Sequence, residues 1–280
     1  MLTDLHMHTN CSDGNLEPEE LVLAAVNNGL SVISITDHDV VKAYDLAQKF
    51  IMNQKLPLKI ISGVEINTNS ANREVHVLGY HIDTTSGKLA ERLKMLQTER
   101  VLRVEKILLK LKQLGYGLDK ADILSVTREV ISLGRPHIAK ALINKGYFAN
   151  KAEVFDKLLA NGAPAYVPHV KLEVGEAVNL INNAGGIAVL AHPGLIKDDM
   201  LVENLLDNYN FQGLEVYYPQ HTPMQIAKYL AWANIRNLLV SGGSDFHGVS
   251  GRYPSKLGVF SISNEINKDL IAWKTPKLTS

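Results

Sequence analysis

The chain has 280 residues, 46% of them apolar and 21% charged, with 29 basic side chains against 29 acidic ones. That is enough for one large α/β domain or a domain with a substantial insertion, and the charge balance argues against a long polyanion-binding surface. A single cysteine, Cys11, excludes an internal disulfide; with no apolar run near the ~20 residues that span a bilayer and no signal-peptide pattern at Met1-Leu2-Thr3-Asp4, a cytoplasmic protein without a membrane partner is expected.

The first strand runs from Asp4 to His8, with His6 and His8 on one face and Leu5 and Met7 on the other. Cys11-Ser12-Asp13-Gly14-Asn15 is turn chemistry. A helix follows, with Pro18, Glu19 and Glu20 in its first turn, Leu21, Ala24 and Ala25 on its apolar stripe and Gly29 as its stop. A strand from Ser31 to Thr36 ends in Asp37-His38-Asp39, a helix covers Val40 to Asn53, and the strand Lys59 to Ser62 leads to Gly63-Val64-Glu65. This alternation predicts a parallel sheet or barrel with right-handed crossovers. Another strand runs from Val75 to His81.

From Gly87 to about Ala160 the pattern is helical only. A long amphipathic helix runs from Leu89 to Leu114 and stops at Gly115, another enters through Gly134-Arg135-Pro136-His137, and a third covers Lys151 to Leu159. Residues 87–161 are therefore expected to be an all-helical insertion, a lid on the substrate side of a barrel built from 1–86 and 162–280. Alternation resumes with a helix from Val174 to Ala184 and a strand from Gly186 to Ala191 that ends at His192-Pro193-Gly194. The strand Gly213 to Tyr217 ends at Tyr218-Pro219-Gln220-His221-Thr222-Pro223, and Asn237 to Ser241 ends at Gly242-Gly243-Ser244-Asp245-Phe246-His247-Gly248. A last strand, Leu257 to Ile262, and an amphipathic tail close the chain.

Each strand delivers a polar group at or just past its C-terminal end: His6, His8, Asp13, His38, Glu65, His76, His192, His221, Asp245 and His247. In a parallel barrel those ends form the mouth where active sites sit. One such histidine is commonly a half-buried structural imidazole. This many, interleaved with carboxylates, would leave costly unpaired polar groups unless something binds them, so a multinuclear metal site is expected. Imidazole and carboxylate donors without thiolate suit Mn²⁺, Fe²⁺ or Zn²⁺. Asp37 and Asp39 either orient ligating imidazoles or cap the following helix. Cys11 is expected to be a small buried residue, and His81 and His169 have no partner in the pattern.

His6-x-His8, Thr36-Asp37-His38, Gly63-Val64-Glu65, Ala191-His192-Pro193 and Ser244-Asp245-x-His247, in that order over nearly the whole chain, resemble the motifs of the polymerase and histidinol phosphatase (PHP) family. The resemblance implies a distorted (β/α)7 barrel with two or three divalent metal ions, Mn²⁺ foremost, Fe²⁺ or Zn²⁺ as alternatives. It further implies one ion on His6, His8, Glu65 and Asp245, a second on Glu65, His76 and His192, and a third on Asp13, His38 and His247. A hydroxide shared between metals would attack a phosphoryl group.

Three features bear on substrate. Arg135 and His137 sit at the start of an insertion helix, where a guanidinium can grip phosphate, although Pro136 with a surface Arg is the plainer alternative. His221-Thr222-Pro223 ends another strand. The long helix carries a basic excess that reads as a solvated face, with Arg100 and Arg103 able to reach the pocket. Together with Tyr217-Tyr218-Pro219, these resemble the family's 3′,5′-nucleotide bisphosphate phosphatase and 5′-to-3′ exoribonuclease (ribonuclease AM type) branch. That implies a small nucleotide or a short 5′-phosphorylated RNA as partner, Arg135, Arg100 and Arg103 as the 5′-phosphate anchor, and Glu65, His137 and His221 in catalysis. No long duplex surface is evident. The alternatives are a histidinol-phosphate or other small phosphomonoester phosphatase, and a catalytically silent PHP structural module, which would have lost some of the nine donors.

Overall fold

A computed structural model describes residues 1–126, 134–168, 171–249 and 251–273. The chain forms two compact units, Met1–Glu91 with Lys171–Ser280, and Arg92–Val170. The elements of the first are β1 (Leu2–Asp4), α1 (Pro18–Asn27), β2 (Leu30–Ile35), α2 (Lys42–Gln54), β3 (Lys59–Ser70) and β4 (Arg73–Tyr80). Helix α3 (Gly87–Gln113) leads into the second unit, which contains α4 (Lys120–Leu124), α5 (Arg135–Asn144) and α6 (Lys151–Val154), the last continued by a π-helical turn over Phe155–Leu159. The first unit then resumes with β5 (Leu172–Glu173), α7 (Val174–Asn183), β6 (Ile187–Leu190), α8 (Asp199–Asn208), β7 (Gly213–Tyr217), α9 (Pro223–Ile235), β8 (Leu239–Gly242), β9 (Ile262–Ser263) and α10 (Lys268–Ile271).

The strands form a nearly closed barrel in the order β8-β7-β6-β4-β3-β2-β1-β9, with β5 paired to β3. Closure falls between the residues just beyond β1 and β8. Met7 bridges Phe246 in parallel, the Asp245 N–H donates to the His6 carbonyl at 2.7 Å, and the His8 N–H donates to that of Phe246 at 2.9 Å. Runs such as Ile187-Ala-Val-Leu190 are buried throughout, as strands between barrel interior and helices must be. Leu5, Val32, Ile61, Leu78, Tyr80, Ile187 and Val189 form one apolar cluster, and the Tyr80 hydroxyl donates to the Leu5 carbonyl at 3.0 Å.

The expected α/β barrel is present with two changes. β3 and β4 pair antiparallel as a hairpin, and β4 also runs antiparallel to β6. The turn needs only Ala71 and Asn72, both with positive φ, which twists like the strands it joins. His76 is therefore not at a strand's C-terminal end but in the first half of a reversed strand, opposite Asn67 of β3. The expected strand Leu257–Ile262 shrinks to β9, antiparallel to β1. Gly258 adopts φ +80°, so the chain turns there and reaches β1 only at Ile262. The tail from residue 274 lies outside the described residues.

In the second unit, Val104, Ile107 and Leu111 of α3 pack with Leu118, Ile123, Ile138, Leu142, Phe148, Val154 and Leu158. The spacing 104, 107, 111 is one helical face, and Gly115 at φ +87° follows the helix end. Among the described residues from Gly87 to Val167 there is no strand. No helix among the described residues is long and apolar enough to cross a membrane.

Barrel closure leaves no room at Gly243, where a Cβ would collide with the His6 main chain and side chain. Gly243→Ala is expected to destabilise the protein by about 1–3 kcal/mol, as overpacking does. An unchanged urea midpoint would contradict this closure.

Candidate metal centre

Glu65 lies on β3 two positions beyond Gly63 and is 1% exposed. Oε1 is 2.7 Å from His76 Nδ1 and 3.1 Å from His192 Nε2. Oε2 is 3.1 Å from His38 Nδ1, 3.2 Å from His8 Nε2 and 3.4 Å from His6 Nε2. Asp245 brings Oδ1 to 3.2 Å from His8 Nε2 and 3.6 Å from His6 Nε2. Asp13 Oδ1 is 3.1 Å from His247 Nε2 and 3.7 Å from His8 Nδ1. His6, His8, Asp13, His38, Glu65, His76, His192, Asp245 and His247 are thus brought into one cluster at the barrel mouth.

Within it, three groups have donor atoms that all lie within 4.8 Å of one another: His6-His8-Glu65-Asp245, His38-Glu65-His76, and His8-Asp13-His38-His247. The chemistry of these atoms fits divalent cations. His6 Nε2, both His8 nitrogens, Glu65 Oε2, His76 Nε2 and His247 Nε2 are buried without a hydrogen-bond partner, an expensive arrangement unless a bound ion takes their lone pairs.

Partners that the sequence reading did not assign hold these donors in place. Glu215 of β7, fully buried, accepts from His6 Nδ1 at 2.9 Å and from the His192 N–H at 2.7 Å. That bond fixes the His6 tautomer and turns Nε2 toward the cluster. Asp4 accepts from the N–H groups of His6 and Ser244, at 3.3 and 2.9 Å, tying the ends of β1 and β8 together. Tyr218 and Arg252 both donate to Asp245 Oδ2, at 3.0 and 2.9 Å. His247 Nδ1 donates to the Asp245 carbonyl at 2.8 Å, which leaves Nε2 facing Asp13. The available signal for Glu215 was a lone carboxylate inside a five-residue strand buried at all but its last position, Gly-Leu-Glu-Val-Tyr.

Asp37 and Asp39 have more specific roles than either reading offered. Asp37 accepts from the Thr9 N–H at 2.7 Å, the Thr9 hydroxyl at 2.5 Å and the Ser12 hydroxyl, so it braces the loop after His8. Asp39 accepts from the Asn67 N–H and Nδ2, and Asn67 Nδ2 in turn donates to His38 Nδ1 at 3.2 Å. Helix α2 has no side-chain cap.

The remaining sequence candidates are not among these donor groups. His221 is fixed by both ring nitrogens, Nδ1 donating to the Val216 carbonyl at 2.8 Å and Nε2 accepting from the Gly194 N–H at 3.2 Å. Burial holds its pKa down. Arg100, Arg103, Arg135 and His137 belong to the helical unit. Arg103 Nε donates to the Val167 carbonyl at 2.8 Å. Arg135 donates to the Leu159 carbonyl at 3.1 Å, with its guanidinium 5.6 Å from the Phe155 ring and 5.8 Å from that of Tyr166. His137 Nδ1 accepts from the Gly134 N–H at 3.2 Å. Cys11 is buried. His81 Nε2 bonds the Leu270 carbonyl at 2.8 Å, and His169 lies outside the described residues.

Residues 4–183 match the PHP domain. The chain is 35% identical over 254 residues to the 5′-3′ exoribonuclease Rnm of Escherichia coli, covering 88% of this chain and 85% of that protein. It is 33% identical over 266 residues to the 3′,5′-nucleoside bisphosphate phosphatase of Chromobacterium violaceum, covering 89% of each. The crystal structure of a Bifidobacterium adolescentis protein assigned as a metal-dependent phosphoesterase superposes with TM-score 0.84 at 27% identity, covering 96% of this chain and 95% of that one. Fold and donor cluster together define a metal-dependent phosphoesterase. The chain belongs to the PHP domain family.

Burial opposes charge at His6, His8, His38 and His76, but at His8 the Asp245 and Glu65 carboxylates overcome it and push the pKa up to about 9. Glu65 and Glu74 do the same at His76, also about 9. Burial wins at His38, lowered to about 3. Glu65 and Asp245, despite burial, are held well below the carboxylate range by surrounding imidazoles. Without metal, His8 and His76 therefore carry protons at pH 7. Those protons stabilise the fold below pH 6.5 and are lost as pH rises through about 9. A cation must displace them. Metal affinity is expected to rise from pH 6.5 to about 9, with proton release near pH 7. Calorimetry in buffers of different ionisation enthalpy checks this: a buffer-independent heat would contradict it.

Proposed function

We propose that the protein hydrolyses the 3′-phosphate ester of 5′-phosphorylated nucleotides. It would convert a 3′,5′-bisphosphonucleotide such as pAp to AMP, and trim short 5′-phosphorylated RNA in the 5′-to-3′ direction. One observation carries the phosphoryl chemistry: a buried carboxylate, Glu65, stands among five imidazoles, and its Oε2, His6 Nε2 and both nitrogens of His8 have no hydrogen-bond partner. The substrate class is supported by the likeness to the Escherichia coli and Chromobacterium violaceum proteins over nearly the full chain. A 3′-monoester and a 3′-phosphodiester present the same phosphorus to the same groups, so one site accounts for both activities.

The proposed ligand sets are His6, His8, Glu65 and Asp245, then Glu65, His76 and His192, then Asp13, His38 and His247. Mn²⁺ is the proposed ion, because imidazole and carboxylate donors without thiolate suit it. Bound there, divalent ions ionise a water at neutral pH and neutralise the phosphoryl oxygens. The chain's own residues position and discriminate. Glu65 and Asp245 supply anionic oxygens whose orientation Tyr218 and the ring of imidazoles fix. Arg135, with Arg100 and Arg103, is the proposed 5′-phosphate anchor, with the helical insertion acting as the substrate-side lid. His137, whose Nδ1 accepts from Gly134, would carry its proton on Nε2 and donate toward the departing 3′-oxygen. Both nitrogens of His221 are engaged within the barrel, which favours a positioning role for it, holding the turn that carries His192. Nucleotide and RNA substrates, with a chain that has a single cysteine, favour the cytoplasm as the setting.

The test is a paired assay with Mn²⁺, in which pAp and a short 5′-phosphorylated RNA are compared with 5′-hydroxyl controls. Both 5′-phosphorylated substrates are expected to be cut, the controls poorly. Arg135→Ala is expected to narrow that preference by about tenfold, the loss of a charge-assisted contact. Unchanged preference would remove Arg135 from the anchor, and hydrolysis of histidinol phosphate instead of either substrate would overturn the substrate assignment.

A further inference from the structure

Arg252 lies ten residues past β8, in a stretch of turns and bends that supplies none of the metal donors. Its Nη2 donates to Asp245 Oδ2 at 2.9 Å, the same oxygen that takes the Tyr218 hydroxyl at 3.0 Å. The other carboxylate oxygen, Oδ1, is left to His8 and His6. The Arg252 side chain is 44% exposed, so it reaches from the buried carboxylate to the open edge of the site. Among the described residues, its other guanidinium N–H groups have no protein acceptor.

Holding Asp245 does not require a guanidinium. Tyr218 already donates to Oδ2, and a neutral donor would complete the job without penalty. A permanent cation beside a carboxylate that faces a cation-binding cluster works against the cluster, because it withdraws charge from Asp245 and repels the ions. The arrangement becomes favourable when an anion stands against both. A phosphoryl group is such an anion, and the planar guanidinium fork matches its oxygens.

We infer that Arg252 is a phosphate-binding residue of this site: hung on the outer oxygen of Asp245, it turns its remaining donors to a non-bridging oxygen of the substrate's phosphoryl group. The inference rests on the phosphoesterase reading above. It concerns the phosphate being cleaved and is separate from the 5′-phosphate anchor assigned to Arg135.

Wild type, Arg252→Met and Arg252→Lys would be loaded with Mn²⁺, assayed for metal content and titrated calorimetrically with inorganic phosphate, with pAp hydrolysis by wild type run in parallel. Both variants should keep the full metal content. Phosphate affinity should fall by about tenfold or more in Arg252→Met, as for loss of a charge-assisted bond, and recover in part in Arg252→Lys, which keeps the charge without the fork. Affinity within about twofold of wild type in Arg252→Met, the scatter of a neutral contact, overturns the inference and leaves the phosphoesterase reading standing. Metal loss in step with the loss of phosphate affinity also overturns it, since Arg252 then acts only through Asp245. A wild type that neither binds phosphate nor cleaves pAp overturns the reading beneath it.

Discussion

Two oxygens of Glu65 shared among five imidazoles form the constraint on which the barrel mouth depends. The imidazoles arrive on the extension of β1, on β4, and just past β2 and β6, so strands distant in sequence meet at one side chain. Burying this carboxylate alone would be prohibitive. Burying the imidazoles without it would leave them uncharged and unpaired. Each makes the other tolerable, and the inward atoms still lacking a partner define the space that cations would fill.

Around this centre His6, His38 and Asp245 are steered by groups from other parts of the barrel. Glu215 orients His6 and grips the His192 main chain. Asn67, held by Asp39, reaches His38. Asp4 ties β1 to β8 where the sheet closes. Such partners restrict both tautomer and ring direction. Asp245 itself has φ +52° and His192 φ +24°, backbone that costs of order 1–3 kcal/mol and persists only where the surroundings enforce it. Closure of the barrel and aim of the donors are therefore one problem, solved by the same hydrogen bonds.

Much of this was legible in the chain because the donors sit in short local motifs at the ends of apolar runs. His-x-His on a strand, or Asp-x-His after Gly-Gly, states both element and chemistry within a few residues. Less legible was whatever depended on a distant partner. The reversal of β4 hangs on Ala71 and Asn72, neither of which announces a tight turn, so His76 was placed at the right mouth for the wrong topological reason. Glu215 looks like one polar residue in an apolar strand until His6, 209 residues away, is beside it. Arg252 had no motif at all. The helical unit was readable from its periodicity, since Val104, Ile107 and Leu111 share a face; the tasks proposed for Arg135 and His137 rest on the family resemblance instead, because substrate contacts leave no period in a sequence.

The central claim is that Glu65 organises a multinuclear site. Metal stoichiometry of Glu65→Gln against wild type, measured by elemental analysis after loading with Mn²⁺ and removal of excess, tests it most directly. The substitution keeps size and hydrogen-bonding shape but removes the charge shared by five imidazoles. The expected result is two or three ions per wild-type chain and no more than about one in the variant, held by the Asp13, His38 and His247 group that does not use Glu65. A variant that retains the full complement would contradict the claim.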